Sequence, residues 1–192
     1  GVSVNLQRYS RSPLELDVTL SGDPTPSNRR VAIRSSKVSL RFVIRNPRLW
    51  WPNGYGEQPI YSITLVLHDQ SGELQTVHVP FGIRTVVLVQ KADREGRSFI
   101  FEINGKKIFC KGANWIPPDA FLPRVPVATY ERLLMLARDA SMNMIRVWGG
   151  GVYEEQVFYD LCDRLGLMVW QDFMYACGEY PDHPAFLREC RH

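Results

Sequence analysis

From residue 107 onward the sequence alternates strand-like and helix-like stretches, and this succession limits the possible folds more than any single motif. Residues 107–111, 144–148 and 167–170 read as short strands. Between them Tyr130, Leu133, Leu134, Ala137 and Ala140, and then Val157, Phe158, Leu161 and Leu165, recur at helical spacing. Gly166 is placed to end the second helix in the left-handed conformation. Strand, helix, strand, helix, strand implies parallel pairing with helical crossovers. A doubly wound sheet has the same order, but Lys111-Gly112-Ala113-Asn114-Trp115 lacks the nucleotide-binding pattern expected at its first turn. The order therefore predicts a (β/α)8 TIM barrel. A complete barrel takes about 250 residues and only about a hundred are available here, enough for roughly three of eight strands, so the barrel is expected to be incomplete in this chain.

The stretch up to about Leu88 has a different period. Leu14, Leu16, Val18 and Leu20 alternate with Glu15, Asp17 and Thr19; Val38, Leu40, Phe42 and Ile44 alternate with Ser39, Arg41 and Arg45; Ile63, Leu65 and Leu67 repeat the pattern. Such strands bury one face, and turn-forming stretches at 22–28 and at Pro52-Asn53-Gly54 separate them, which predicts an immunoglobulin-like β-sandwich. Arg41 and Arg45 fall on the solvated face, while Leu49 and Pro52 around Trp50 and Trp51 favour a packed corner over a sugar platform. The polar run 91–98 reads as a linker, giving a sandwich over 1–90 and the start of a barrel over 99–192. That second part opens with a hairpin, 99–103 and 107–111, turning at Asn104-Gly105.

Composition excludes more than it assigns. With 23 basic and 20 acidic residues the net charge is +3, too small and dispersed for a nucleic-acid or anionic-membrane surface. No apolar run approaches the ~20 residues of a spanning helix. Cys110, Cys162, Cys177 and Cys190 are too far apart for zinc or redox motifs and are expected to be ordinary thiols; neither metal nor cofactor is expected. No Asn-x-Ser/Thr acceptor occurs, and the compartment is left open. The start at Gly1, without an initiating methionine, is what either a processed fragment or the removal of a tag would leave.

Barrel enzymes place their chemistry at the C-terminal ends of the strands. Those ends carry Asn114 and Trp115, then Trp148 before Gly149-Gly150-Gly151, then Asp172. Aromatic faces accept the apolar side of a sugar, and Asn or Asp its hydroxyls. Trp148 and Asp172 are the stronger candidates for substrate binding; Asn114 and Trp115 have the alternative of capping the barrel mouth. The three glycines lack the Lys-Ser/Thr of a phosphate loop and are expected to make room for a ligand against Trp148. Glu154 and Glu155 read as residues that open the second helix. Glycoside hydrolysis needs two carboxylates about 5–10 Å apart, and no suitable pair stands at these strand ends.

Lys111-Gly112-Ala113-Asn114-Trp115-Ile116-Pro117-Pro118-Asp119, the run from Met142 through Arg146-Val147-Trp148-Gly149-Gly150-Gly151 to Glu154, and Val169-Trp170-Gln171-Asp172-Phe173-Met174 resemble the β-mannosidases of glycoside hydrolase family 2. Leu49-Trp50-Trp51-Pro52-Asn53-Gly54 resembles their sandwich domain, and the likeness is collinear from about Val38 to Pro181. The resemblance implies a retaining exo-acting hydrolase of terminal β-D-mannose in oligosaccharides, with one glutamate as nucleophile and another as acid/base. Both belong on later strands, so no catalytic residue is expected in this chain, which needs the remainder of its parent polypeptide to close the barrel. The resemblance implies Trp148 as a wall of the mannose subsite and Asp172 as a hydroxyl ligand. Cys177-Gly178-Glu179-Tyr180 departs from the family pattern. The alternatives are another family 2 glycosidase (β-galactosidase, β-glucuronidase or exo-glucosaminidase) and a non-catalytic carbohydrate-binding or scaffolding protein. The Arg-Val-Trp-Gly-Gly-Gly motif favours mannose.

Overall fold

A computed structural model describes residues 2–5, 13–22 and 26–191. It divides into two compact units, Gly1–Phe109 and Cys110–His192.

In the first unit β2 (Leu14–Ser21) is the centre of a four-stranded antiparallel sheet. The sheet has the order β3 (Ser27–Ile33), β2, β5 (Tyr61–Asp69), β6 (Gly72–Phe81). The alternation read in the sequence sets which face is buried: Leu16, Val18 and Leu20 are at most 3% exposed, while Glu15 points outward. Burying a Leu or Val side chain contributes about 1.5–3 kcal/mol, so this stripe fixes the register of β2. The covering layer is the antiparallel pair of β1 (Val2–Asn5) and β4 (Lys37–Leu40), whose Val4 and Val38 pack on Leu16 and Val18. Two layers over one core give the sandwich predicted from the alternation. The strand expected to reach Ile44 ends at Leu40; Arg41 and Arg45 are exposed, as their spacing implied. Of the turn expected at 22–28, residues 23–25 lie outside the described residues, and β3 already begins at Ser27.

Trp50 is 1% exposed and forms the packed corner expected of it. A Cβ at Gly82 would sit 2.9 Å from its indole, so only glycine lets that backbone pass. Arg84 stacks on the indole at 4.4 Å.

A third sheet in this unit, β7 (Val86–Val89), β8 (Ile100–Ile103) and β9 (Lys106–Ile108), corrects the predicted domain boundary. The hairpin β8–β9 does turn at Asn104 and Gly105, both with positive φ (51° and 79°). It nevertheless pairs back onto β7, and the Asn104 side chain donates to the Trp50 carbonyl at 3.0 Å. Residues 91–98 are therefore a loop inside one sheet, and the division between units falls at Phe109/Cys110. Local polarity marks a surface loop equally well in either role; the pairing of β7 with β8 decides between them.

The second unit holds three parallel strands in sequential order, β10 (Gly112–Trp115), β11 (Met144–Val147) and β12 (Met168–Gln171). Helix α1 (Val127–Asp139) joins β10 to β11, and α2 (Gln156–Leu165) joins β11 to β12. Gly166 ends α2 at φ 73°, as predicted. The first parallel strand is 112–115, not 107–111. Gly, Ala and Asn are poor strand formers, which hid it. Pairing overrides propensity here: a side chain on Gly112 would collide with the carbonyl of Met144, so glycine is what permits the close pairing. Asn143 is fully buried and ties the strand starts together. Its Oδ1 accepts the Lys111 amide (2.8 Å), and its backbone meets Lys111 and Met168.

Candidate functional site

The two faces of the parallel sheet have different fates. Ile145 and Val147 pack against Tyr130 and Leu134 of α1 and Phe158, Leu161 and Cys162 of α2. By the two-residue period of a strand, Asn114, Arg146 and Trp170 occupy the opposite face, and the register places them side by side. That face bounds a cavity of about 360 Å³ lined by Cys110, Gly112, Ala113, Asn114, Met144, Arg146 and Trp170.

Arg146 organises this face. Its Nη2 lies 2.7 Å from Asp172 Oδ2 and its Nε donates to Oδ1 at 3.2 Å, while Nη1 donates to Asn114 Oδ1 at 3.2 Å. The amide of Gly149 adds a donor to Asp172 Oδ2 at 3.2 Å. Planar, bidentate recognition of a carboxylate is the particular capacity of arginine. Behind Asp172, the Tyr159 hydroxyl donates to Gln171 Oε1 (2.8 Å) and Gln171 Nε2 donates to the Asp172 carbonyl (3.0 Å), so α2 braces the end of β12. Burial raises the Tyr159 phenol above its ordinary value.

The predicted site residues separate accordingly. Asn114 and Asp172 are brought together, through Arg146. Trp148 stands at the end of β11, half-buried, its amide bonded to the Trp115 carbonyl at 3.0 Å. Trp115 is corrected. Its ring lies on the helix side of the sheet, 4.9 Å from the Phe158 ring and 6.2 Å from that of Tyr130, and its Nε1 donates to Glu154 Oε1 at 2.8 Å. In the register Trp115 stands beside Val147, whose face packs against the helices.

Two further readings change. The glycines, expected to make room for a ligand, make room within the protein: a Cβ at Gly150 would overlap the Trp148 ring, one at Gly149 would meet the Phe173 carbonyl, and one at Gly151 would meet Pro117. They accommodate the protein's own side chains and backbone. Glu154 does not open α2. The N-cap is Glu155, and Glu154 is 8% exposed, with Tyr130 Oη donating to its Oε2 at 2.9 Å. Burial, then the bond to Glu154, pushes the Tyr130 phenol up to about 12.

Arg146 is the residue that sequence reasoning missed. Its signal was a lone charge in the otherwise apolar strand Met144-Ile145-Arg146-Val147. Farther on, the divergent stretch turns at Cys177 (φ 58°) and packs the Tyr180 ring 5.0 Å from Tyr175 and 6.4 Å from Phe186 of α3 (Pro184–Glu189).

Sequence and structure comparisons give the proteins that the chain is similar to. The model of the glycosyl hydrolases family 2 matches residues 2–84. β-Mannosidase B of Neosartorya fischeri is 47% identical over 150 residues, covering 78% of this chain and 18% of that protein. The enzyme of the same name from Thermothelomyces thermophilus is 41% identical over 181 residues, covering 93% and 21%. Among solved structures, the β-D-mannosidase from Dictyoglomus thermophilum superposes with a TM-score of 0.84 at 48% identity, over 93% of this chain and 23% of that one. A β-glucuronidase from Parabacteroides merdae shares the fold at 21% identity, with a TM-score of 0.71 over 85% of this chain and 20% of that one. Residues 2–84 carry the match to glycoside hydrolase family 2. The high-identity likeness is to β-mannosidases, of whose length the chain spans about a fifth.

Proposed function

We propose that this chain is the sandwich-to-barrel portion of an exo-acting β-mannosidase, with β10, β11 and β12 as the first three strands of a (β/α)8 barrel. The observation that carries the proposal is the Arg146–Asp172–Asn114 constellation, together with Trp148, at the C-terminal ends of parallel strands in a chain 41–48% identical to β-mannosidases. Sequential strand order with helices on one face supports the barrel, in which the opposite face becomes interior.

In this reading Asp172 and Asn114 receive the hydroxyls of the terminal mannose, and Trp148 forms a wall for its apolar side. Arg146 fixes the carboxylate and amide in advance, so that orienting them does not oppose binding. The retaining reaction needs a nucleophile and an acid/base 5–5.5 Å apart. Asp172 has both oxygens engaged by Arg146 and Gly149 and is assigned to binding; the two catalytic glutamates are assigned to barrel strands outside this chain.

The test is a panel of chromogenic β-glycosides offered to the full-length protein carrying this chain. Hydrolysis of the mannoside well above the galactoside, glucuronide and glucosaminide is expected. A preference for any of the other three would replace the assignment with that family 2 specificity, and hydrolysis of none would favour a binding or scaffolding role.

A further inference from the structure

Gly149-Gly150-Gly151 carries the backbone from β11 towards α2, and glycines have more conformational freedom to lose on ordering than any other residue. Such a loop presents a fixed Trp148 only if both of its ends are held. The structure holds both on one residue. Where the loop begins, the Trp115 carbonyl accepts the Trp148 amide at 3.0 Å. Where it ends, the Trp115 indole Nε1 donates to Glu154 Oε1 at 2.8 Å. Tyr130 of α1 supplies a second donor to the same carboxylate at 2.9 Å.

The burial of Glu154 makes sense in these terms. A carboxylate only 8% exposed is costly to bury without partners, and here each oxygen has its donor. The Trp148 ring occupies the space of the missing Gly150 side chain, so the position of the indole follows the path of the loop directly. The next residue, Gly149, donates its amide to Asp172, which places the start of the loop at the Arg146 fork.

We infer that Trp115 and Glu154 form a clamp that closes the glycine loop and thereby sets Trp148 against the substrate site, with Glu154 as a positioning residue that does not itself touch the sugar. This rests on the β-mannosidase reading only for what Trp148 contacts; the closure of the loop stands apart from it.

The experiment is a double-mutant cycle in the full-length protein, Glu154→Ala against Trp148→Ala, read as kcat and KM on a chromogenic β-mannoside. A clamp that acts through Trp148 predicts about a tenfold loss of kcat/KM for Glu154→Ala, mainly in KM, shrinking to less than about twofold once Trp148 is alanine. Glu154→Gln, whose carboxamide oxygen still accepts the Trp115 N–H, should recover activity to within about threefold of wild type. Equal losses in both backgrounds would overturn the inference and leave Glu154 a general stabiliser. Should Glu154→Ala fail to fold, Tyr130→Phe removes one donor and enters the same cycle with the same criterion. Limited proteolysis gives a readout independent of activity: cleavage within 149–153 is expected in the Glu154 or Tyr130 variant and not in wild type, and equal protection would overturn the clamp. Wild-type protein inert on β-mannosides, yet showing this protection difference, would refute the substrate assignment and leave the clamp standing.

Discussion

Arg146 grips Asp172 with two nitrogens, Nη2 at 2.7 Å and Nε at 3.2 Å, from the neighbouring strand of a parallel sheet. The pair joins the middle of β11 to the residue just past β12, and the third nitrogen reaches Asn114 on β10. One side chain on β11 thus fixes polar groups from both flanking strands at one rim.

Breaking this fork should impair substrate handling more than folding. Asp172→Asn and Arg146→Lys are each expected to lower kcat/KM of the full-length protein by about 10- to 100-fold, because neither replacement preserves the charged bidentate contact. The Arg146 side chain is 44% exposed, so solvent screening limits the coupling between the two to about 1 kcal/mol. Measuring the singles and the double variant by steady-state kinetics and thermal melting separates the two effects. Large losses of melting temperature with unchanged kinetics would contradict the assignment.

Gly150→Ala should behave as a mild copy of Trp148→Ala. The added methyl would fall within the indole, forcing the ring off its position. A rise in KM of about tenfold in Trp148→Ala and a smaller rise in Gly150→Ala are expected, with near-ultraviolet circular dichroism reporting the displaced ring.

How much of this the sequence disclosed depended on where the determining contact lay. The Leu16, Val18, Leu20 stripe and the α2 stripe ending at Gly166 were legible because a single local period sets both burial and element type. The strand 112–115 was not, since Gly, Ala and Asn carry no strand preference and only pairing with β11 creates it. The hairpin β8–β9 was read correctly as a hairpin and assigned to the wrong unit, because its partner β7 lies beyond a polar loop. Asn114, Trp148 and Asp172 were singled out as candidates by their position at strand ends. Facing decides the rest: Trp115 lies on the helix side and Arg146 on the open side, and neither orientation can be fixed before the strand's own boundaries are known.

Acid should weaken the first unit through Asp17. Its bonds to Arg30 hold its carboxyl below the ordinary value of 3.8, with His68 close by. A depressed folded pKa gives stability that is complete above the unfolded value and is lost as pH falls through the folded one. The melting temperature is therefore expected to drop as pH falls from 5 to below about 3.8, and Asp17→Asn should flatten that drop. A variant with an unchanged acid profile would exclude Asp17 as a contributor.

Alkali should act on the second unit. Burial pushes the Cys162 thiol from 9.0 up to about 12 and the Tyr130 phenol from 10.0 up to about 12. Raised folded values give stability that is intact below the unfolded pKa and is lost as pH rises towards the folded one, so the loss belongs between about 9 and 12. Denaturant unfolding at pH 8 and pH 11 should show it, less steeply in Tyr130→Phe. A thiol reagent at neutral pH should label the exposed Cys177 and Cys190 and reach Cys162 only after unfolding.

The most direct measurement compares two polypeptides on a chromogenic β-mannoside: the native gene product, its intact mass determined, and the 192-residue chain alone. A product several times longer that cleaves the substrate, beside an inactive 192-residue chain, is the predicted result and makes Arg146, Trp148 and Asp172 the binding half of a β-mannosidase site. Cleavage by the short chain alone would contradict the placement of the catalytic glutamates outside it. A full-length product without activity on the β-mannoside would contradict the assignment itself.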